Sequence, residues 1–395
     1  MMGETLPGRS SALFHRAARD GDRGVARGTN PSTHSGSIAR ARETPMPGPR
    51  ILFVVDAGPR VGGGHFMRSL NLARALEAEG AQMGVEWAFA GPPALAGLMA
   101  AFASDAVPAG TFETKDALVA DGAALAAGFD AVIFDHYGLS APDHRAIAGE
   151  RPALAVDDLA DRPLAVGLVV DAGISRRARD YAGLIPADAQ LLLGPSHAAL
   201  SPAFAALRET ALARRANTSE VERVLVSLGL TDVGGITARV VAALLPVLGE
   251  RTLDVVVGGQ APSLPALRAL AAADPRLSLH IDSRDMAGLT AAADLAIGAA
   301  GSSSWERCVL GLPTLSLVLA DNQRQAAAAL SALGAHLALD PATPDEALAG
   351  AFAALAADAP PSSSARAAMS AAAAAVCDGR GAARTAERFL ARLKP

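Results

Sequence analysis

At 395 residues the chain exceeds one small domain, and roughly 100–200 residues per domain divides it into two or three. Its residues are 51% hydrophobic with a mean hydropathy of +0.27, enough for a large core, which excludes disorder over the whole length. Thirty-five basic against 40 acidic residues give a net charge of −5, without the basic field of a general nucleic-acid binder, so small molecules or other proteins are the expected partners.

Residues 1–49 carry Arg, Gly, Ser, Thr and Pro with no sustained periodicity. Seven arginines there face four acids, Glu4, Asp20, Asp22 and Glu43. No apolar segment of the kind found in a secretory signal follows the first residues, and the stretch reads as a disordered extension. Met46 precedes the first apolar strand. A protein beginning at Met46 is therefore expected to keep full thermal stability and turnover; a clear drop in either, by calorimetry or assay, would show that the extension packs on the fold.

From Ile51 the pattern is apolar run, Gly-rich turn and amphipathic helix, repeated. The first half predicts strands at 51–56, 84–90, 131–135, 153–156, 167–170 and 190–193, with helices at 66–79, 93–103, 115–127 and 142–149. The stretch from Pro202 to Glu220 is helical, then polar, and reads as a link. The pattern restarts at Val221, with strands at 223–228, 253–257, 277–281, 294–298 and 314–319. Helices at 234–248, 263–273, 286–292, 303–310 and 322–333 alternate with them. From Pro341 the tail is helical, broken at Pro360-Pro361. Aromatics are only 4%, and much of the apolar content is alanine, which suits alanine-rich helices on Val/Leu strands. Alternating elements of this kind predict an α/β fold of two parallel sheets covered on both faces. The expected units are 50–217 and 218–395, with a ligand cleft at the carboxyl ends of the strands.

Cys308 and Cys377 lie in no metal-binding spacing. A disulfide framework is excluded at this size, and a reducing cytoplasm is the expected location. The best candidate for a membrane span, Leu289 to Ala300, is short and carries Asp294, so no membrane span is expected.

Three motifs sit where strands end. Val61-Gly62-Gly63-Gly64-His65-Phe66-Met67-Arg68 joins the first strand to a helix. Its glycines let backbone approach a ligand, and the helix start offers free N–H groups. His65 there is either a capping or buried histidine or a catalytic group facing the cleft. Gly298-Ala299-Ala300-Gly301-Ser302-Ser303-Ser304-Trp305-Glu306-Arg307 makes a second strand-to-helix turn. Small residues and three hydroxyls suit a diphosphate, and the Glu306 carboxylate can accept from both hydroxyls of a ribose. Serine capping and a helix-dipole role for Glu306 are the alternative. In the third, Leu319-Ala320-Asp321-Asn322-Gln323, the amides can hold a sugar's polar groups or simply cap the next helix. Asp135-His136-Tyr137-Gly138 and Asp157-Asp158-Leu159-Ala160-Asp161-Arg162 also follow strands and raise the question of a divalent metal. No third ligand stands at suitable spacing, so neither metal nor other cofactor is expected.

Taken together and in order, these motifs, with Leu193-Gly194-Pro195 before Pro202-Ala203-Phe204, resemble the UDP-2,4-diacetamido-2,4,6-trideoxy-β-L-altropyranose hydrolases of pseudaminic acid biosynthesis. Those are relatives of the MurG-type GT-B glycosyltransferases, and the resemblance covers about residues 50–335. It implies a GT-B fold, two Rossmann-like domains around a central cleft, and hydrolysis of the UDP-sugar to UDP and free sugar for flagellin or surface-glycan modification. It implies no obligate protein partner. Carried over by motif, His65 in the Gly63-Gly64-His65-x-x-Arg68 element is the base that activates or orients water, and Gly63, Gly64 and Arg68 of the same element bind the substrate. Tyr137 lies near sugar and diphosphate, Asn322 and Gln323 on the sugar side, and Gly301, Ser302, Ser303 and Glu306 at the uridine diphosphate. The chain departs from the family at Leu230, where a Gly-Gly pair is usual, and at His197 and Ser201, where Tyr and Arg are usual. A MurG-like UDP-sugar glycosyltransferase, or a hydrolase of a related UDP-diacetamido sugar, is the alternative. A nucleotide-sugar sensor would bind without turnover. A nicotinamide oxidoreductase would want GxGxxG after a strand and an acid about twenty residues on, which this chain does not supply.

Overall fold

Strand β1 (Arg50–Val55) keeps Ile51 to Val55 wholly out of water. A strand apolar on both faces needs a sheet with helices on each side, which is the requirement of a parallel sheet. The computed structural model describes residues 48–58, 61–104, 106 and 108–393; nearly all of the expected extension, and Met46, lie outside them. β1 is followed by α1 (Gly64–Glu79), β2 (Glu86–Gly91), α2 (Ala94–Phe102), β3 (Gly110–Thr111), α3 (Lys115–Ala126), β4 (Ala131–Asp135), α4 (Ala141–Ala148), β5 (Ala153–Val156), β6 (Leu168–Asp171) and β7 (Gln190–Leu193). These strands form one parallel sheet in the order β3-β2-β1-β4-β5-β6-β7.

After α5 (Pro202–Asn217) the pattern repeats with β8 (Arg223–Ser227), α6 (Ile236–Leu244), β9 (Thr252–Val257), α7 (Leu264–Ala273), β10 (Leu277–Ile281), α8 (Met286–Ala292), β11 (Leu295–Ala299), α9 (Ser303–Val309), β12 (Thr314–Leu317), α10 (Arg324–Ala332) and β13 (Leu337–Leu339). The second parallel sheet runs β10-β9-β8-β11-β12-β13. Helices α11 (Asp345–Ala356), α12 (Ser362–Ala374) and α13 (Gly381–Leu390) finish the chain. Two Rossmann-like sheets with flanking helices make the expected GT-B architecture. No helix among the described residues is long and apolar enough to cross a membrane.

In each sheet the strand order reverses direction once, between β1 and β4 and between β8 and β11. Open α/β sheets bind ligands at such reversals, beyond the carboxyl ends of the strands. The first and second motifs follow β1 and β11, one at each reversal.

Two strands, β3 and β13, are absent from the sequence pattern. Each is an edge strand, of two and three residues, too short to show a period. The helix expected over 234–248 narrows to α6, with short 3₁₀ turns on either side.

Two helices pack across the division at 217/218. α5 packs on the second half: Phe204 and Ala211 share a core with Trp305 and Cys308. Its Arg208 donates to the carbonyls of Val309, Ala374 and Cys377, and Arg215 to those of Thr290, Ala293 and Leu310. α13 returns to the first half, where Ala386, Phe389 and Leu390 join the core of Ile51, Phe53 and Leu70. Its apolar face recurs at helical spacing, Ala382, Ala386 and Phe389; periodicity reveals such a face but not the partner it covers.

Candidate active site

Gly62 adopts φ +82°, a region open to glycine at no steric cost. The chain there turns sharply out of β1 into α1, placing His65 in the first turn of the helix. The residue is 4% exposed. Nδ1 lies 2.9 Å from Asp135 Oδ1, at the carboxyl end of the neighbouring β4, and 3.2 Å from the Asp135 carbonyl.

Asp135 is fully buried and its carboxylate is completely engaged. Arg68 donates from Nε (2.8 Å) and Nη2 (2.6 Å), and the Ser69 hydroxyl donates at 2.9 Å. Burial alone would favour the neutral acid, but the Arg68 guanidinium and His65 hold this carboxyl well below the usual range. An ionised carboxylate only accepts, so His65 must carry its proton on Nδ1. In the neutral ring Nε2 then keeps its lone pair. This is an aspartate-supported imidazole.

Tyr137, two residues past β4, meets the His65 ring edge-on with centroids 4.3 Å apart. Burial and the nearby Asp158 charge raise its phenol well above the ordinary value, so it acts as a neutral hydroxyl. That hydroxyl accepts from Asn322 Nδ2 at 3.2 Å, joining the third motif to the first half across the cleft. Gln323 Oε1 accepts from the Leu319 amide at 2.9 Å, and a β-carbon on Gly301 would lie 3.4 Å from Gln323 Nε2. The first and second motifs also face each other: a β-carbon on Gly64 would sit 3.6 Å from Ser302 Oγ. His65, Tyr137, Gly301, Ser302, Asn322 and Gln323 thus converge on one cleft.

The second motif turns from β11 into α9. Ser302 is exposed, Ser303 and Glu306 are half-buried, and Arg307 lies beneath them at 3% exposure. Burial pushes the Glu306 carboxyl up to about 7, against the pull of Arg307. Burial also lowers the Arg307 guanidinium to about 10. No hydrogen-bond donor to Glu306 is found among the described residues.

Other sequence candidates have different surroundings. Arg68 is committed to Asp135 and, through Nη1 at 3.0 Å, to Asp158, so it braces the site rather than facing the cleft. Asp157 accepts from Arg162, Tyr181 and the Ala160 amide. Among the described residues no group of three or more His, Cys, Asp or Glu is placed to hold a metal ion. Leu230 packs on the first core, and a β-carbon on Gly63 would lie 3.1 Å from its Cδ1; it fills the cleft floor between the halves. His197 lies on the α13 seam, its backbone carbon 2.5 Å from where a β-carbon on Gly381 would sit, and Ser201 caps α5. Beside His136 a cavity of about 290 Å³ opens between Asp56, Pro92, Phe112, Thr114 and Lys115.

Sequence reasoning misses the supporting roles of Asp135, Ser69 and Asp158, and presents Asp135 only as a metal candidate. Its place at the carboxyl end of an apolar strand is a signal, but the pairing of β4 with β1 is needed to connect it to His65.

No family model matches the chain. It is 31% identical over 176 residues to the spore coat polysaccharide biosynthesis protein SpsG of Bacillus subtilis, over 44% of this chain and 50% of that protein. The chain thus spans about half the length of that relative. It is 24% identical over 289 residues to the UDP-2,4-diacetamido-2,4,6-trideoxy-β-L-altropyranose hydrolase of Campylobacter jejuni, over 72% of this chain and 97% of that enzyme. Among solved structures, MurG of Acinetobacter baumannii superposes with a TM-score of 0.59 at 16% identity, covering 87% of this chain and all of MurG. The resemblance carried by the motifs and the architecture of the two sheets agree: the chain has the GT-B fold and is similar in sequence to the UDP-2,4-diacetamido-2,4,6-trideoxy-β-L-altropyranose hydrolase and to SpsG.

Proposed function

We propose that this protein hydrolyses a UDP-linked diacetamido-trideoxy sugar, of the UDP-2,4-diacetamido-2,4,6-trideoxy-β-L-altropyranose type, to UDP and the free sugar, without a metal. The observation that carries the reading is the Asp135-supported His65, set across a cleft from the small-residue turn Gly301–Ser303. In this reading the turn and its hydroxyls hold the diphosphate, Glu306 the ribose, and Tyr137, Asn322 and Gln323 the sugar. UDP is a good leaving group whose charge the turn receives. Water lacks nucleophilicity and position, which His65 Nε2 supplies by accepting a proton as the oxygen attacks the anomeric carbon. The proton goes to His65, and the C–O bonding pair leaves with UDP. The test is incubation with UDP-sugar and ¹⁸O-water alone: UDP and free sugar accumulate, and the UDP carries no ¹⁸O. Label in the diphosphate would mean attack at phosphorus.

A MurG-like transfer reaction is the second reading, favoured by the cavity beside His136, which gives room for an acceptor. Turnover only when an acceptor is added would select it.

Glu306 makes the nucleotide affinity pH-dependent. Two ribose hydroxyls donate more strongly to a carboxylate than to its acid, one of whose oxygens becomes a donor, and burial pushes the free carboxyl up to about 7. UDP affinity is expected to fall as pH drops below that value and to level off above it, with proton release near neutrality. Calorimetry in buffers of different ionisation enthalpy measures this. Glu306→Gln should bind at least about tenfold more weakly at pH 8, from charge-assisted bonds of about 1.5–3 kcal/mol each, and without the pH dependence. Unchanged affinity would return Glu306 to a helix-dipole role.

A further inference from the structure

Arg307 is 3% exposed and makes no ion pair among the described residues. An unpaired cation out of water is costly, and here its hydrogen bonds all go to neutral groups. Nη2 donates to the Ala299 carbonyl at 2.6 Å and to Ser304 Oγ at 3.2 Å, and Nη1 donates to Ser303 Oγ at 3.0 Å. Nε, also buried, has no partner among the described residues. The guanidinium lies directly under the β11-to-α9 turn: a β-carbon on Gly298 would sit 2.5 Å from both Cζ and Nη1. A positive charge is therefore built in beneath the glycine-serine turn, and no carboxylate among the described residues pairs with it.

Its contacts also fix the serines. Ser303 Oγ accepts from the guanidinium, so its single proton points away from Arg307 and is free to donate to an outside acceptor. The Ser304 hydroxyl is buried and sits 3.4 Å from the Ala299 carbonyl, so it is internal.

Resting on the reading of this cleft as a UDP-sugar site, we propose that Arg307 is a positioning residue for the diphosphate. It is the fixed counter-charge under the turn, and it acts through the Ser303 hydroxyl, which it polarises and aims. The ligand it selects is a pyrophosphate-bearing nucleotide rather than a nucleoside.

The test is calorimetric titration of the full chain, its Arg307→Met, Arg307→Lys and Ser303→Ala variants, with UDP and with uridine. Arg307→Met should weaken UDP by at least about tenfold, as expected for loss of charge-assisted hydrogen bonding. Uridine should stay within about threefold, because it carries no phosphate for the turn to hold. Arg307→Lys, which keeps the charge, should recover part of the loss. Adding Arg307→Met to Ser303→Ala should cost less than Arg307→Met alone, since coupled residues are not additive. Equal loss of UDP and uridine would make Arg307 a scaffold residue and overturn the proposal, as would UDP binding by Arg307→Met within threefold of wild type. Should Arg307→Met not fold, Ser303→Ala decides: a selective loss of UDP supports the proposal, and none overturns it. Wild type that binds no UDP at all would instead bring down the nucleotide reading itself.

Discussion

Replacing His65 with asparagine should lower turnover by about 10²–10⁴, the usual worth of a positioned general base, while UDP affinity stays near wild type. Asparagine is polar and of similar reach but cannot take the proton that water releases. The groups proposed to face the nucleotide, Ser303 and Glu306, lie on α9 in the other half, so binding and turnover should separate. The measurement is kcat for UDP release beside calorimetric UDP affinity. A His65→Asn protein within tenfold of wild type would make His65 a buried structural histidine, and the base would then be sought at His136.

Asp135→Asn should affect both chemistry and stability. The carboxylate is what fixes the proton on His65 Nδ1 and leaves Nε2 free, so turnover should again fall by about 10²–10⁴. It is also the main partner of the Arg68 guanidinium, which is only 14% exposed. Breaking a buried pair from one side typically costs about 3–5 kcal/mol, to be read from chemical denaturation. The folded-state acid is stronger than the unfolded one, so its stabilisation is present above the unfolded value and lost as pH falls toward the folded one. Wild type and the Asp135→Asn protein should therefore differ fully at pH 7 and converge as pH falls below about 4. A gap that is the same at pH 7 and pH 3 would show that the ionised form of Asp135 contributes little.

The chain displays its buried parallel strands plainly. Ile51 to Val55 could belong to little else, and the turns after β1 and β11 mark both sheet reversals through glycine and small residues. That the first motif faces the second, and the Tyr137 motif the third, is implied by motif resemblance, and geometry supplies the approach of Gly64 to Ser302 and the contact of Tyr137 with Asn322. What stays hidden is relational. Arg68 reads as a ligand contact in the sequence because nothing there shows that Asp135 and Asp158 surround it. The importance of Asp135 depends on sheet order, and that of Arg307 on a carbonyl and two hydroxyls folded over it. Short edge strands such as β3 and β13 carry too few residues for any period.

The exchange of α5 and α13 sets an order on synthesis and folding. Helix α5, made early, has nothing to cover until α8 and α9 exist. The first sheet, though its strands are made by residue 193, keeps part of an apolar face beside α1 open until residues 381–390 arrive to join Ile51, Phe53 and Leu70. Contacts of such long sequence separation form slowly, and an uncovered apolar face is prone to aggregation meanwhile. The two halves therefore cannot be finished one after the other as they leave the ribosome; they close together, at the end.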